Sequence, residues 1–406
     1  MNIVNRIIPA NAHRDPIRLG MKYKAMRANP WSFFRETCHL FRDRLPKTGI
    51  FKSAPLAWSC GDLHLKNVGS YKGDNRLVYS DINDFDEAAL APASWDLARM
   101  LTSIVVRAAS LGLYKSNTYA LASQFITIYL LTLAGGRAVW VERETAQGVV
   151  RNLLEQAKSR SRVAFLDRRT QRSGRRRLFL LDAEKLLPAT ATQRKTIVSF
   201  MSAFTRTQPN PAFFKVVDVA LGVAGTGSLG VERYAILIEG KGSPDQNHFL
   251  DLKEARASSV ASHLPSIQPA WQTEAERVCA VQQRMQAVPM ALLHAVELAE
   301  RPFVLRALQP TEDRVDLAAI ESNVDSLLGV VSVMGQCVAA AQLRSAGRQG
   351  SATADELIAF SKRKKLPAKL IEIAYKMAER TTRDWDAYCL AYDDHRFAAA
   401  DLIAPT

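Results

Sequence analysis

The sequence predicts an α+β chain in which a small, mainly antiparallel β block, residues 211–312, separates two helical blocks, 1–210 and 313–406. Three observations predict this. Residues 95–134 and those after Asp316 repeat apolar side chains at helical spacing. From Phe213 to Ala255, β-branched and aromatic residues instead alternate around glycines, the pattern of strands joined by tight turns. The 406 residues, 48% of them hydrophobic, suffice for a two-part body with a sizeable core.

Taken in order, residues 16–45 read as mostly helical, anchored by Trp31, Phe33 and Phe34. LAWSC (56–60) and RLVYSDI (76–82) are short apolar runs with strand character, flanking a polar loop and a Gly-Asp turn at 73–74. Trp95–Ala108 and Ser116–Ala134 are helical patterns apolar on most faces, and therefore expected to be buried. A basic segment follows, then a helix near 183–205. Beyond the glycine-rich strands, Gln272–Gln286 places Ala275, Val278, Val281 and Met285 on one helical face. MALLHAVEL and RPFVLRAL read as two further strands, leading through QPTED into a long helix through Val338.

The net charge of +14 is concentrated: Lys158–Arg177 holds nine basic residues against one acid, Asp167, and removing it leaves +6. With Phe165 its only aromatic, this segment is a poor stacking platform for single strands. It reads either as a solvated, mobile loop or as an electrostatic clamp for an anionic substrate or nucleic acid. The five cysteines (38, 60, 279, 337 and 389) are odd in number and far apart, neither a disulfide framework nor a zinc spacing, and are expected to be reduced and mostly buried. No run of eighteen apolar residues and no signal-peptide pattern is present, so a soluble, cytoplasmic protein with no membrane span is expected.

The chemistry-bearing stretch is 61–99: Gly61-Asp62-Leu63-His64-Leu65-Lys66-Asn67, then Asp81-Ile82-Asn83-Asp84-Phe85-Asp86, then Trp95-Asp96-Leu97-Ala98. Phosphoryl transfer needs a carboxylate to orient or deprotonate the acceptor and oxygen ligands to hold magnesium against phosphates. A carboxylate and an amide five residues apart on one loop, with a second carboxylate after the next strand, can supply these. The same acids also serve as turn and helix caps, Asp96 above all.

GDLHLKN resembles the catalytic loop of aminoglycoside phosphotransferases and choline kinases, and DFDEAALAPASWDLA resembles the segment that follows it there. The resemblance implies Asp62 as base, Asn67 and Asp84 as metal ligands, Asp96 as a buried brace and His64 as a loop-bracing residue rather than a ligand. Asp81 and Asp86 are extra acids, and either could displace Asp84 in that role. Cys60 departs from the pattern, which has His there.

Such enzymes also carry a glycine-rich hairpin and a strand lysine, ordinarily before the catalytic loop. The first sixty residues hold only Gly20 and Gly49. Instead Gly225-Thr226-Gly227-Ser228-Leu229-Gly230 lies far downstream, followed by Lys253 in FLDLKEA. Dinucleotide folds share G-x-G-x-x-G but require a helix after it; a strand is expected here. Glu274 is the first candidate partner for Lys253, with Glu276 and Gln282 behind it, and QPTED would be the hinge touching adenine. The resemblance therefore implies a two-lobed, protein-kinase-like fold, circularly permuted, using ATP and Mg2+ on the hydroxyl of a small-molecule acceptor. A nucleotidylyl transferase and a non-catalytic nucleotide-, nucleic-acid- or partner-binding module are the alternatives. MRANPWSFFRE, CGDLHLKNVG, SDINDFDEA, GTGSLG, LDLKEA and ERVCAVQQRMQ together resemble the bacterial family called domain of unknown function 2252. That family brings in Arg35, either facing an anionic group or bracing the loop.

Overall fold

The computed structural model describes residues 2–397 apart from 183, 184 and 224. The start of the helix expected near 183, Ala224 of the glycine-rich stretch and the tail 398–406 lie outside the described residues. The chain is α+β, and among the described residues every strand pairing is antiparallel.

Helices from both ends of the sequence build one body. Lys115–Ala134 and Val324–Ser345 pack along one another, with Ser94–Ser110 against Leu366–Asp393 beside them. Their apolar faces share one core, in which Phe125, Tyr129, Leu101, Val338 and Leu370 are almost wholly buried. Val324–Ser345 is long and apolar enough to cross a membrane by length and composition alone, yet it is a core helix, with Val330, Met334, Val338 and Ala341 buried. Leu56–Ser59 pairs with Ala89–Pro92, and Val68–Lys72 pairs with Val78–Ile82. The strands at 68–72 and 89–92 were not read from sequence. Both are short, the first broken by Gly69 and Ser70 and the second built of Ala, Leu and Pro, and so carry little strand signal.

The second body is a six-stranded sheet in the order His294–Leu298, Arg301–Ala307, His248–Glu254, Arg233–Ile238, Val216–Gly222, Leu186–Pro188. One face carries Val219, Tyr234, Ile236, Leu250, Leu252 and Phe303, and packs on the helix Ala191–Thr205 through Ile197 and Met201. The sheet thus recruits residues 186–205, which the sequence reading placed with the helical block. On the opposite face Ala220, Ala235, Leu237 and Phe249 are covered by Phe165, Leu166 and Phe179.

Phe165 and Leu166 of that cover belong to the basic segment, which is folded rather than the solvated loop of the first of its two readings. It forms a short helix, Arg162–Asp167, and a hairpin, Thr170–Ser173 with Arg176–Phe179. Arg177 is fully buried, bonding Asp167 at 2.7 Å and Asp245 at 2.8 Å. Arg160 pairs with Asp313 and Arg169 with Glu312, both at 2.6 Å. Arg160 and Arg169 thus tie the segment to the 312–313 turn, and Arg172 and Arg177 tie it to Asp245. The five cysteines are all free, and all but Cys389 are buried.

Candidate active site in the cleft between sheet and helical body

The loop after Leu56–Ser59 turns sharply at Gly61, whose φ is +86°. A Cβ there would lie 1.9 Å from the Glu87 carbonyl oxygen, so only glycine fits. Three buried groups hold this turn. The Asp96 carboxylate accepts the Cys60 N–H at 3.1 Å and faces Arg42 at 3.6 Å. Arg42 donates to the Gly61 carbonyl and lies 5.1 Å from the Trp95 ring centre. Arg99, fully buried, donates to the Phe34 carbonyl at 2.7 Å and stacks 3.5 Å above the Phe34 ring. Asp96 thus braces the loop, and burial keeps its pKa raised. Burial also holds the Cys60 thiol far above its usual value, so it stays protonated.

Arg99 also fixes Asp62, its Nε and Nη2 reaching Oδ1 at 2.9 Å and 2.7 Å. Burial pushes the Asp62 pKa up to about 6, against the pull of Arg99. His64 accepts the Lys66 N–H through Nδ1 at 3.1 Å and sits edge-on to Trp31; burial pushes it well down, so it is a neutral brace. Asn67 donates through Nδ2 to the Asp62 carbonyl at 2.9 Å, which leaves its side-chain oxygen as an acceptor.

The three acids of the next strand separate by partner. Asp81, 1% exposed, is consumed structurally: it bonds Arg344 at 2.6 Å and the Ala287 N–H at 3.0 Å. Asp84, beyond the strand's end, lines the cleft and accepts a long 3.4 Å bond from the Asp86 N–H. Asp86 is ion-paired with Lys253. Burial would raise the Asp86 pKa, but the Lys253 ammonium outweighs it and holds it below the usual range.

Lys253 therefore crosses from the sheet to Asp86 in the helical body, but its acid partner is not the one expected. Glu274 bonds Arg277 at 2.5 Å, three residues on along its own helix, and is absent from the cleft wall. Glu276 accepts the Gln272 N–H at 2.8 Å. Gln282 is fully buried against Gln286. The i+3 spacing of Glu274 and Arg277 makes a local ion pair that needs no reach across the fold.

The glycine-rich turn joins two antiparallel strands, Val216–Gly222 and Arg233–Ile238, with a single short turn at Thr226–Ser228. A strand, not a helix, follows Gly230, which removes the dinucleotide reading. Arg14 donates to the carbonyls of Gly227 at 2.9 Å and Leu229 at 2.6 Å, and Arg18 to that of Val231 at 3.0 Å. Gly230, φ +82°, faces the Arg14 side chain rather than the cleft; a Cβ would meet the Arg14 Cβ at 2.7 Å.

All these pieces frame one cleft of about 760 Å³. Asp62, Asn67 and Asp84 line it from the helical body; Gly225, Gly227, Ser228 and Lys253 line it from the sheet. Arg35 and Arg314 also line it, each with a buried Nε that has no partner. So do Lys22 and Glu36, 3.7 Å apart, with burial lowering the Lys22 pKa to about 7. Sequence reasoning missed Arg42, Arg99, Lys22 and Glu36. Only Arg99 had a signal, standing three residues after Asp96 on one helical face.

Among the described residues no group of three or more His, Cys, Asp or Glu forms a ready cation cage. Magnesium held against phosphates needs only one or two protein oxygens, so Asp84 and Asn67 fit that role. No curated protein and no solved structure matches the chain. Residues 14–391 match a family model described as an uncharacterized protein conserved in bacteria, and the chain belongs to that family, DUF2252.

Proposed function

We propose that the protein is an ATP- and Mg2+-dependent phosphotransferase acting on a hydroxyl of a small molecule, built on a circularly permuted kinase-like fold. One observation carries the reading. Asp62, Asn67 and Asp84, from the first quarter of the chain, share a single cleft with Lys253 and the glycine-rich turn, from its second half.

In this reading Asp62 takes the acceptor's proton. A carboxylate with a pKa of about 6 is both largely ionised at neutral pH and basic enough to accept one. Arg99 fixes its orientation. Asn67 and Asp84 would hold magnesium, which neutralises charge on the phosphates when bound. Lys253 and the backbone of residues 225–228 face the phosphates. A cleft of this volume suits a small acceptor.

Thermal melting with ATP, with and without magnesium, tests the reading. A magnesium-dependent rise in Tm is expected, because a ligand that binds only the folded state raises its apparent stability. No response to ATP, with salt-sensitive nucleic-acid binding instead, would replace it with the non-catalytic module.

A further inference from the structure

The sheet wall of the cleft is charged where a nucleobase would need an apolar shelf. Register places Arg233 opposite Lys253, and Asp251 opposite both Ala235 and Arg306, so these side chains share one face. Asp251 is held by Arg233 at 2.5 Å and 2.9 Å and by Arg306 at 3.3 Å. Both arginines line the cleft, and Arg233 also lies within electrostatic reach of Asp86, the partner of Lys253. Arg35 and Arg314 face it from the other body. Asp84 lies within electrostatic reach of Arg233 and Arg314.

The apolar remainder of that sheet face is already occupied. Phe165, Leu166 and Phe179 cover Ala235, Leu237 and Phe249. The segment 309–313, expected to be the hinge touching adenine, is committed elsewhere. The Leu308 N–H donates to Phe249 at 3.0 Å, the Asp313 carbonyl accepts the Ser70 hydroxyl at 3.3 Å, and Gln309 donates to the Ser70 carbonyl at 3.0 Å. Arg160 and Arg169 fasten Asp313 and Glu312 from outside. Of this segment, Gln309 lines the cleft. Base pockets are walled mainly by apolar groups, whereas arginines suit the bidentate recognition of phosphate.

We propose that the arginine-lined end of the cleft holds the polyphosphate tail of the nucleotide, so that the group passed to the acceptor hydroxyl is a nucleotidyl group. The inference rests on the phosphotransferase reading for the nucleotide cleft and for Asp62 as base, and changes the group transferred by reversing the donor's orientation. The acceptor oxygen bonds to the α-phosphorus, the bond from that phosphorus to the β-bridging oxygen breaks, and pyrophosphate leaves. The hydroxyl proton passes to Asp62. The products are a nucleoside monophosphate ester and pyrophosphate.

The test uses the full chain with magnesium and three probes: ATP, inorganic tripolyphosphate and adenosine. Calorimetry should show tripolyphosphate binding and competing with ATP, while adenosine does not compete. Arg306→Ala and Arg314→Ala should each weaken tripolyphosphate binding by roughly tenfold, the worth of one charge-assisted hydrogen bond. Circular dichroism melting checks that both variants fold. ATP labelled at the α-phosphorus should yield labelled ester or AMP, with pyrophosphate released. Adenosine competing while tripolyphosphate does not, or release of ADP with γ-label transfer, overturns the orientation and leaves the phosphotransferase reading standing. Failure of ATP and tripolyphosphate alike to bind overturns both.

Discussion

Replacing Asp62 by Asn should abolish turnover yet raise stability at neutral pH. Burial raises the Asp62 pKa from 3.8 to about 6 even with Arg99 in contact, so the ionised carboxylate is less comfortable in the fold than in the unfolded chain. A shift of about two units corresponds to roughly 3 kcal/mol at most. The side chain is 21% exposed, and solvent screening brings the expected gain down to about 1–2 kcal/mol. Asn resembles the protonated acid, so this penalty is what the substitution removes. The sign follows from proton uptake. Between pH 3.8 and about 6 the folded state binds more protons than the unfolded, so wild-type stability from this group falls as pH rises through that window. The gain of Asp62→Asn should thus be smallest near pH 4 and complete above pH 6. Urea denaturation at pH 5 and pH 8 measures it, and turnover should fall by roughly 10²–10⁴, the range for a lost general base. A variant less stable than wild type by the same amount at both pH values would refute the reasoning, since it would show that Asp62 serves mainly to satisfy Arg99.

Gly61→Ala should cost at least about 3 kcal/mol in urea denaturation, because its Cβ would overlap the Glu87 carbonyl from a left-handed backbone. A loss under 1 kcal/mol would mean that this turn is loosely held. Glu274→Gln should leave the magnesium-dependent ATP melting shift unchanged and alter stability by no more than about 1 kcal/mol, since Glu274 is partly exposed and the buried Arg277 keeps its bonds to the Asp86, Ala88 and Arg256 carbonyls. Loss of the ATP shift in that variant would restore Glu274 as a working partner of Lys253. Arg99→Met should move the acidic limb of the pH–activity profile upward, because Arg99 is the main influence lowering the Asp62 pKa; an unmoved limb would assign that limb to another group.

Local pattern determined much of this protein from sequence alone. The two long helices, Ser94–Ser110 buried on most faces and Lys115–Ala134 on one, the strands on either side of the glycine-rich turn, and the amphipathic helix with Val278 and Val281 inward all declare themselves by period. Asp62 and Asn67 on one short loop, with Asp84 just past the end of the returning strand, marked the cleft's helical wall. Weak strands such as Val68–Lys72, with a glycine and a serine at its centre, carried no such mark.

Only tertiary structure decided what each charge does, because its partners lie far along the chain. Asp81 and Asp84 look interchangeable in sequence until Arg344, 263 residues away, claims the first. Lys253 meets Asp86 across 167 residues, where helical spacing had pointed to Glu274. The basic run at 158–177 could not be read as a brace, since Asp245, Glu312 and Asp313 reach it only once the sheet has formed. Periodicity is a property of neighbours and survives in the sequence; desolvation and ion pairing depend on what the fold brings alongside.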